Sequence, residues 1–473
     1  MDRGMRALIS LVGLAIVTVL LVGSRTAHAG DTRALGHDAA LRLAAERNLS
    51  LLVSGLERER LRAVAEAARR PYLPELNLET AGRTTGIDTN SAVEATARFV
   101  YVSPYGQSVN ATAGTSVGVA GSAEAQSSLQ IELSQAILRG GYQPGGAADL
   151  RQADLDVKIA KEQFRAQLNA LLSSVDRAYW NLAFARADVE VKRRSRDRAR
   201  AQFDETRENI KRGLLAPGEI YLVEENVVNF DDVVSRAEEN LALAQSALRR
   251  LLLLPLDTTV ETTSSIDAQA LTEPTLADSI VAATAHNPTV LIARLAAERA
   301  KVGVAADERR ALPQLDAFGS LGLAAGRDAN AFPVPGDPRL RAGLRLSFPF
   351  TRGPDNARVR RARTEVAQRN LAIQDAEADV TTAVNDAMTR IRARRDRLEL
   401  AARLVDLAQK KLEVQRDKYK SGLGTLPDVV RFQRDLDNAF TNQLRARVDL
   451  LTARTDLLTA RGDLHERLSV TVR

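Results

Sequence analysis

The residue types that carry covalent and metal chemistry are sparse in this 473-residue chain. There is no cysteine, so thiolate nucleophiles, thiolate ligands and disulfides are excluded. His37, His286 and His465 stand far apart, with no partner at metal-ligand spacing, and His28 lies in an N-terminal segment expected to be removed. No G-x-x-x-x-G-K-[ST] loop is present to cradle a nucleotide phosphate. Gly140-Gly141 and Gly145-Gly146 flank a strand-to-helix turn, which accounts for them without a phosphate. Acidic and basic residues interleave, as on solvated helical faces with i,i+4 pairs, and this argues against a nucleic-acid partner. The expectation is no enzyme, no metal and no cofactor. Two acids stand apart from the rest. Glu219 and Asp428 open long helices beside Pro217 and Pro427, six residues after Gly213 and Gly422. The plain reading is that the glycines make tight turns and the carboxylates offset the helix macrodipole.

The elements that position these residues begin with an export signal. Arg3 and Arg6 precede the apolar run 7–22, and Ala27-His28-Ala29 supplies small residues before a cut at Gly30. A transmembrane anchor is the alternative, but the run is short for a bilayer span. No cysteine follows it, so a lipoprotein attachment is not expected. No second stretch of about 20 apolar residues exists. The most apolar window left is 251–256, and it contains Pro255. If the mature chain enters a membrane, it does so as strands of a closed barrel.

The chain is written twice. At an offset of 239, Asn48 meets Asn287, Leu52 meets Leu291, Glu59-Arg60 meets Glu298-Arg299, and Leu73-Pro74-Glu75-Leu76 meets Leu312-Pro313-Gln314-Leu315. At 213, Ile131 and Leu133 meet Leu344 and Leu346, and Arg139-Gly140 meets Arg352-Gly353. At 209, Lys211-Arg212-Gly213-Leu214 meets Lys420-Ser421-Gly422-Leu423. The expected organisation is a signal peptide at 1–29, a first repeat at 30–256, a linker at 257–274 and a second repeat at 275–473. Each repeat has one plan: helix, two strands, then a helical hairpin. The strands fall at about 73–86, 125–135, 314–326 and 340–350, and the hairpins at about 147–252 and 354–465. The leading helices read as continuous over 35–70 and 275–311. The linker reads as irregular, lying against the outside of the helices.

Heptads set the lengths. Leu168, Val175, Leu182 and Val189 repeat every seven residues in the first hairpin, and Val359, Val366, Ile373, Val380 and Ala387 in the second. That stripe restarts four residues on at Ile391, a stutter that locally unwinds a supercoil. A helix of about 66 residues spans roughly 100 Å. Two helices of about 36 residues end to end match it, so each repeat reads as a two-helix column with strands at one end and a turn at the other. In the strands, Leu129, Ile131 and Leu133 alternate with Gln130, Glu132 and Ser134, and Ala342, Leu344 and Leu346 with Arg341, Arg345 and Ser347. This is barrel patterning, with a two-layer soluble sheet as the alternative. Four strands cannot close a barrel, so several copies are required. The Ala/Gly/Ser/Thr-rich segment 82–126 is left open between strand extension and exposed loop, and its counterpart 326–340 carries Pro333, Pro335 and Pro338.

In this order and spacing the chain resembles the TolC-type outer-membrane efflux channel family. The carrying features are the signal, the duplicated plan, Leu73-Pro74 and Leu312-Pro313, Arg139-Gly140 and Arg352-Gly353, and the two hairpin tips. The resemblance implies a mainly α protein with a membrane β-barrel. A homotrimer would form a 12-stranded barrel continued by an α-helical coiled-coil periplasmic tunnel. It implies a passive conduit for small molecules in a tripartite efflux pump, partnered by a periplasmic adaptor (membrane fusion protein), an inner-membrane pump and outer-membrane lipid. A type I protein-secretion conduit and a non-conducting coiled-coil scaffold are the alternatives. It also places Tyr419, Asp428 and Glu219 on positions of a periplasmic gate, and Gly213, Leu214, Gly422 and Leu423 at the adaptor contact. Gly424 and Arg431 depart from the family's basic and acidic gate positions.

Overall fold

The computed structural model describes residues 32–85, 90–120, 124–139, 147–266, 274–328, 338–348, 350–351 and 353–467. The expected signal peptide, the pairs Gly140-Gly141 and Gly145-Gly146, Arg352, Pro333 and Pro335 lie outside them. In chain order the elements are β1 (Thr32–Leu35), α1 (His37–Arg47), α2 (Leu49–Ala67), a 3-10 turn (Arg70–Tyr72), β2 (Glu75–Thr85), β3 (Asn90–Val102), β4 (Gln107–Ala120), β5 (Glu124–Ala136), α3 (Ala148–Lys211) and α4 (Glu219–Leu252). The second half holds β6 (Thr259–Thr262), α5 (Leu276–His286), α6 (Pro288–Arg310), β7 (Gln314–Asp328), β8 (Arg339–Ser347), α7 (Gly353–Lys420), α8 (Leu426–Arg461) and the short α9 (Leu464–Arg467).

Two compact units emerge, and the long helices run through both. Of the described residues, the first comprises those within 32–52, 168–283 and 382–467. Its core is the expected heptad ladder: Leu168, Val175, Leu182 and Val189 on α3 are at most 2% exposed. Val223, Phe230 and Ala237 on α4, and Val380 beyond the unit boundary, are also buried, as are Ala387, Ile391 and Leu412 on α7. Polar ties join neighbouring helices. Arg193 reaches Glu238 at 2.7 Å, Arg200 reaches Asp231 at 2.9 Å, and Arg177 reaches Asp456 at 2.5 Å.

The second unit, residues 53–167 and 284–381, holds a six-stranded sheet in the order β2-β3-β4-β5-β7-β8, antiparallel throughout. Below it, Ala148, Ala160, Ala297, Ala300, Ala306, Ala362 and Ala376 are buried, so the helices approach closely. Charged rims fix their register: Arg299–Asp156 at 2.7 Å, Arg294–Glu377 at 2.7 Å and Arg363–Glu308 at 2.6 Å.

Three expectations need correction. First, the segment 82–126 contributes two long strands, β3 and β4, so the chain puts six strands into the sheet and not four. Three copies of this sheet do not make twelve strands. The reason was visible only as composition: small β-compatible residues replace the long hydrophobics that mark a strand. Second, the leading helices are not continuous. α1 gives way to α2 at Asn48, and α5 to α6 at Asn287, the latter pair bent by 43°. At each break the Asn side chain caps the next helix: Asn48 Oδ1 accepts from Leu51 N–H at 3.2 Å and Asn287 Oδ1 from Thr289 N–H at 2.8 Å. Third, the linker is not wholly irregular. β6 pairs in parallel with β1, Val260 opposite Arg33.

Among the described residues no single helix is long and apolar enough to cross a membrane. The pair α5 and α6 passes such a test only when taken together across its bend.

Candidate functional site

The hairpin tips are built by matched turns. In the first, Gly213 takes φ +74°, its N–H donates to Ile210 O at 2.9 Å, and Leu214 N–H donates to Asn209 O at 2.8 Å. In the second, Gly422 takes φ +74°, its N–H donates to Tyr419 O at 3.0 Å, and Leu423 N–H donates to Lys418 O at 2.9 Å. These paired bonds satisfy the last carbonyls of α3 and α7 and require a residue at ease with positive φ. The turns push Leu214 and Leu423 into solvent at 69% and 83% exposure. Apolar side chains held out on a rigid turn are available for contact with another protein.

The three gate candidates divide. Tyr419 packs against Leu412, Val429 and Leu436. Its phenol is pushed above its ordinary value, first by burial and then by the neighbouring carboxylates of Glu205 and Glu219. So the structure brings Tyr419 and Glu219 into one electrostatic neighbourhood and adds Glu205, which sequence reasoning missed. Asp428 is engaged on its own helix. Thr425 Oγ1 donates to its Oδ2 at 2.7 Å, and Arg431 Nη2 lies 3.1 Å from its Oδ1. The two departures from the family pattern thus have physical accounts. Arg431 pairs with Asp428. Gly424 lies so close to the preceding turn that a Cβ would sit 3.0 Å from Tyr419 N and 3.2 Å from Lys418 C.

Elsewhere in the first unit the lone histidines find structural work. His37 Nε2 meets Asp176 Oδ1 at 2.7 Å, and Trp180 Nε1 donates to the same oxygen at 3.0 Å. The His37 ring stacks on Trp180 with centroids 5.2 Å apart. Tyr179 Oη donates to Leu35 O and accepts from Ser264 N–H, which ties both β1 and the chain after β6 to α3. Burial pulls the His37 pKa down, but the hydrogen bond and charge of Asp176, with Asp38 behind them, outweigh it and raise the pKa above its ordinary value. The one signal available in sequence was Asp176 four residues before the sole tryptophan. His465 Nδ1 sits 3.2 Å from Asn169 Oδ1. A second buried acid, Asp437, receives Arg198 at 2.5 Å. Burial pushes its carboxyl up, against the pull of Ser195, Arg198 and Lys192.

The sheet supplies the other functional surface. Its registers align one apolar row across all six strands: Leu76, Phe99, Ala111, Ile131, Leu321 and Leu340. The adjacent row, on the opposite face, runs Asn77, Arg98, Thr112, Gln130, Gly322 and Arg339. Leu78, Leu133, Leu344 and Leu346 on the apolar face are 54–75% exposed. An open pocket of about 400 Å³ lies against the polar face between Glu94, Thr96, Gly114, Ser116, Gln126 and Ser128. Water cannot favour so large an exposed apolar surface, and lipid can.

Residues 40–252 and 279–463 match the family model described as outer membrane efflux protein. The chain belongs to that family. An outer membrane protein TolC from Vibrio cholerae is 25% identical over 361 residues, 72% of this chain and 79% of that protein. The fold is shared with two solved structures. CusC, studied for transmembrane channel formation, has a TM-score of 0.68 at 16% identity, covering 90% of this chain and 91% of the other. The outer membrane protein VceC of Vibrio cholerae has a TM-score of 0.66 at 16% identity, covering 90% and 96%. An outer membrane efflux protein is a channel component, and its working parts are surfaces. This chain contains a sheet with one apolar and one polar face, and two hairpin tips turned at Gly213 and Gly422.

Proposed function

We propose that this outer membrane efflux protein is the outer-membrane subunit of a tripartite efflux pump and a passive conduit for small molecules. Copies of the chain close their sheets into a barrel in outer-membrane lipid, and their helices line a periplasmic tunnel. The assembly is a homotrimer, made after export by the signal peptide and without a lipid anchor, from the repeats 30–256 and 275–473 joined by 257–274. The tips at Gly213-Leu214 and Gly422-Leu423 meet a periplasmic adaptor, and an inner-membrane pump supplies the energy. Substrate choice resides in that pump.

The observation that carries this reading is the sheet: one largely apolar face, one polar face, and two open edges. An open edge is not tolerated in hydrocarbon, so the sheet needs other copies to close it. A second feature supports self-association. Leu400, Leu404, Leu407 and Val414 form an exposed apolar stripe at helical spacing on α7.

Tyr419, Glu219 and Asp428 hold the tip shut in the resting state. Asp428 does so by exchanging its contact with Arg431 for one across the tip. In planar bilayers, purified protein should give trimers with discrete conductance steps. Replacing Tyr419 with Phe and Asp428 with Asn together should raise the basal conductance. Unchanged conductance from intact trimers would sink the gate assignment. A folded trimer that never conducts, even with an altered tip, would favour a periplasm-spanning scaffold. Conductance that needs a bound secretion partner would favour type I protein secretion.

A further inference from the structure

We propose that the β3–β4 hairpin is a full part of the barrel wall, so that three copies close an 18-stranded barrel. The inference rests on the conduit reading above and specifies its wall. β3 and β4 are 13 and 14 residues long, against 11 for β2 and 13 for β5. At ~3.3 Å per residue and a tilt near 40°, such strands rise roughly 33 Å, enough to cross an apolar band of about 25 Å. An exposed loop between β2 and β5 would stay at the end of the sheet where β2 finishes. This hairpin returns to the opposite end. Its turn, 103–106, docks where β5 finishes: Ala136 N–H donates to Gly106 O at 2.8 Å, and Gln135 Nε2 donates to Tyr105 O at 3.3 Å. Ser103, at 5% exposure, closes the turn by donating its N–H to Gln107 O at 2.7 Å.

The facing of the side chains is the second argument. On β3, Val93, Ala95, Ala97, Phe99 and Tyr101 share the apolar face, while Glu94, Thr96 and Arg98 share the polar one. An accessory hairpin lying over the sheet would have no reason to carry the wall's alternation in the wall's register.

The edges are the third. Six strands is an even number, so β2 and β8 run antiparallel and can pair between copies. On the polar face β2 carries Glu75 and Glu79, and β8 carries Arg339, Arg341 and Arg345. With the two strands' ends in step and their faces matched, each acid falls opposite an arginine or one diagonal away. The occupant of each open edge is therefore the opposite edge of a second copy. Eighteen strands at ~4.8 Å spacing and ~40° tilt give a cylinder roughly 36 Å across, against roughly 24 Å for twelve.

The absence of cysteine makes the test direct. Single variants Thr112→Cys and Ala113→Cys in β4, with Gln130→Cys and Ile131→Cys in β5 as reference, are reconstituted as full-length protein in liposomes. Each is treated with a membrane-impermeant maleimide, and denatured samples establish full thiol content. The expected result is the same alternation in both strands: positions 112 and 130 label, and 113 and 131 label several-fold more slowly. If 130 and 131 alternate but 112 and 113 label alike, the hairpin stands outside the wall; the proposal falls and the conduit survives. If 130 and 131 also label alike, the sheet is not in lipid, and the conduit reading falls with the proposal.

Discussion

At the scale of single residues, function turns on groups whose neighbours are fixed by packing. Gly424 illustrates this. A Cβ there would press on the backbone at Lys418 and Tyr419, which cannot rotate away as a side chain would. Gly424→Ala should therefore cost about 1–3 kcal/mol in local tip stability, as overpacking does. The readout is faster tryptic cleavage at Lys418 and Lys420 than in the parent. His37 makes a sharper prediction. Its folded pKa is raised, so its protonated form is favoured by folding. The stabilisation is fully present below the ordinary histidine value near 6.5 and is lost as pH rises through the higher folded value. Trp180 is the only tryptophan and stacks on this ring, so its emission should titrate with a midpoint above 6.5. His37→Gln should abolish that titration. Persistence of the titration would assign it to another group. In sequence His37 reads only as a lone histidine. Its partnership with Asp176 joins positions 139 residues apart, which no local pattern reveals.

At the scale of elements, periodicity was the strong signal and punctuation the weak one. The seven-residue ladder on α3 appears as a buried stripe, because a repeat of large apolar residues has only one face to hide. The match of Asn48 with Asn287 was visible as part of the duplication, but its meaning was not. Both residues break a helix and cap the next one. Asn287→Ala should cost about 1 kcal/mol, the usual cost of losing such a cap, and Asn48→Ala less, given its longer bond. Faster amide exchange in the first turns of α6 and α2 would report this, and no change would show that tertiary packing alone sets the bend. The missed strands β3 and β4 have the opposite cause. Their apolar face is largely Ala and Val, and the polar face of β4 is mostly Thr, Ser and Gly, so alternation is present at low contrast. Only pairing to β2 and β5 makes it legible.

At the scale of the whole molecule, the prediction concerns the wall and the gate together. The Tyr419/Asp428 double variant tests the tip by conductance, and the cysteine series tests the wall by labelling. A wide wall combined with an intact gate predicts that opening the tip, and not enlarging the barrel, controls current. The sequence by itself determined the duplicated plan, the two hairpins, the glycine turns and the alternation of the four strongest strands, because each is a local periodicity or a local backbone requirement. It also carried the features by which the family was recognised. The tertiary structure decided the rest: six strands in one sheet, the parallel β1–β6 pair, the pairing of Arg431 with Asp428, and the clamp around His37. The strand order, the β1–β6 pair and the clamp depend on which distant segments share a register or a cavity, and that is settled by packing and hydrogen-bond satisfaction across the chain; the Arg431–Asp428 pair is an i,i+3 contact on one helix, and there the structure decided only which partner the carboxylate takes.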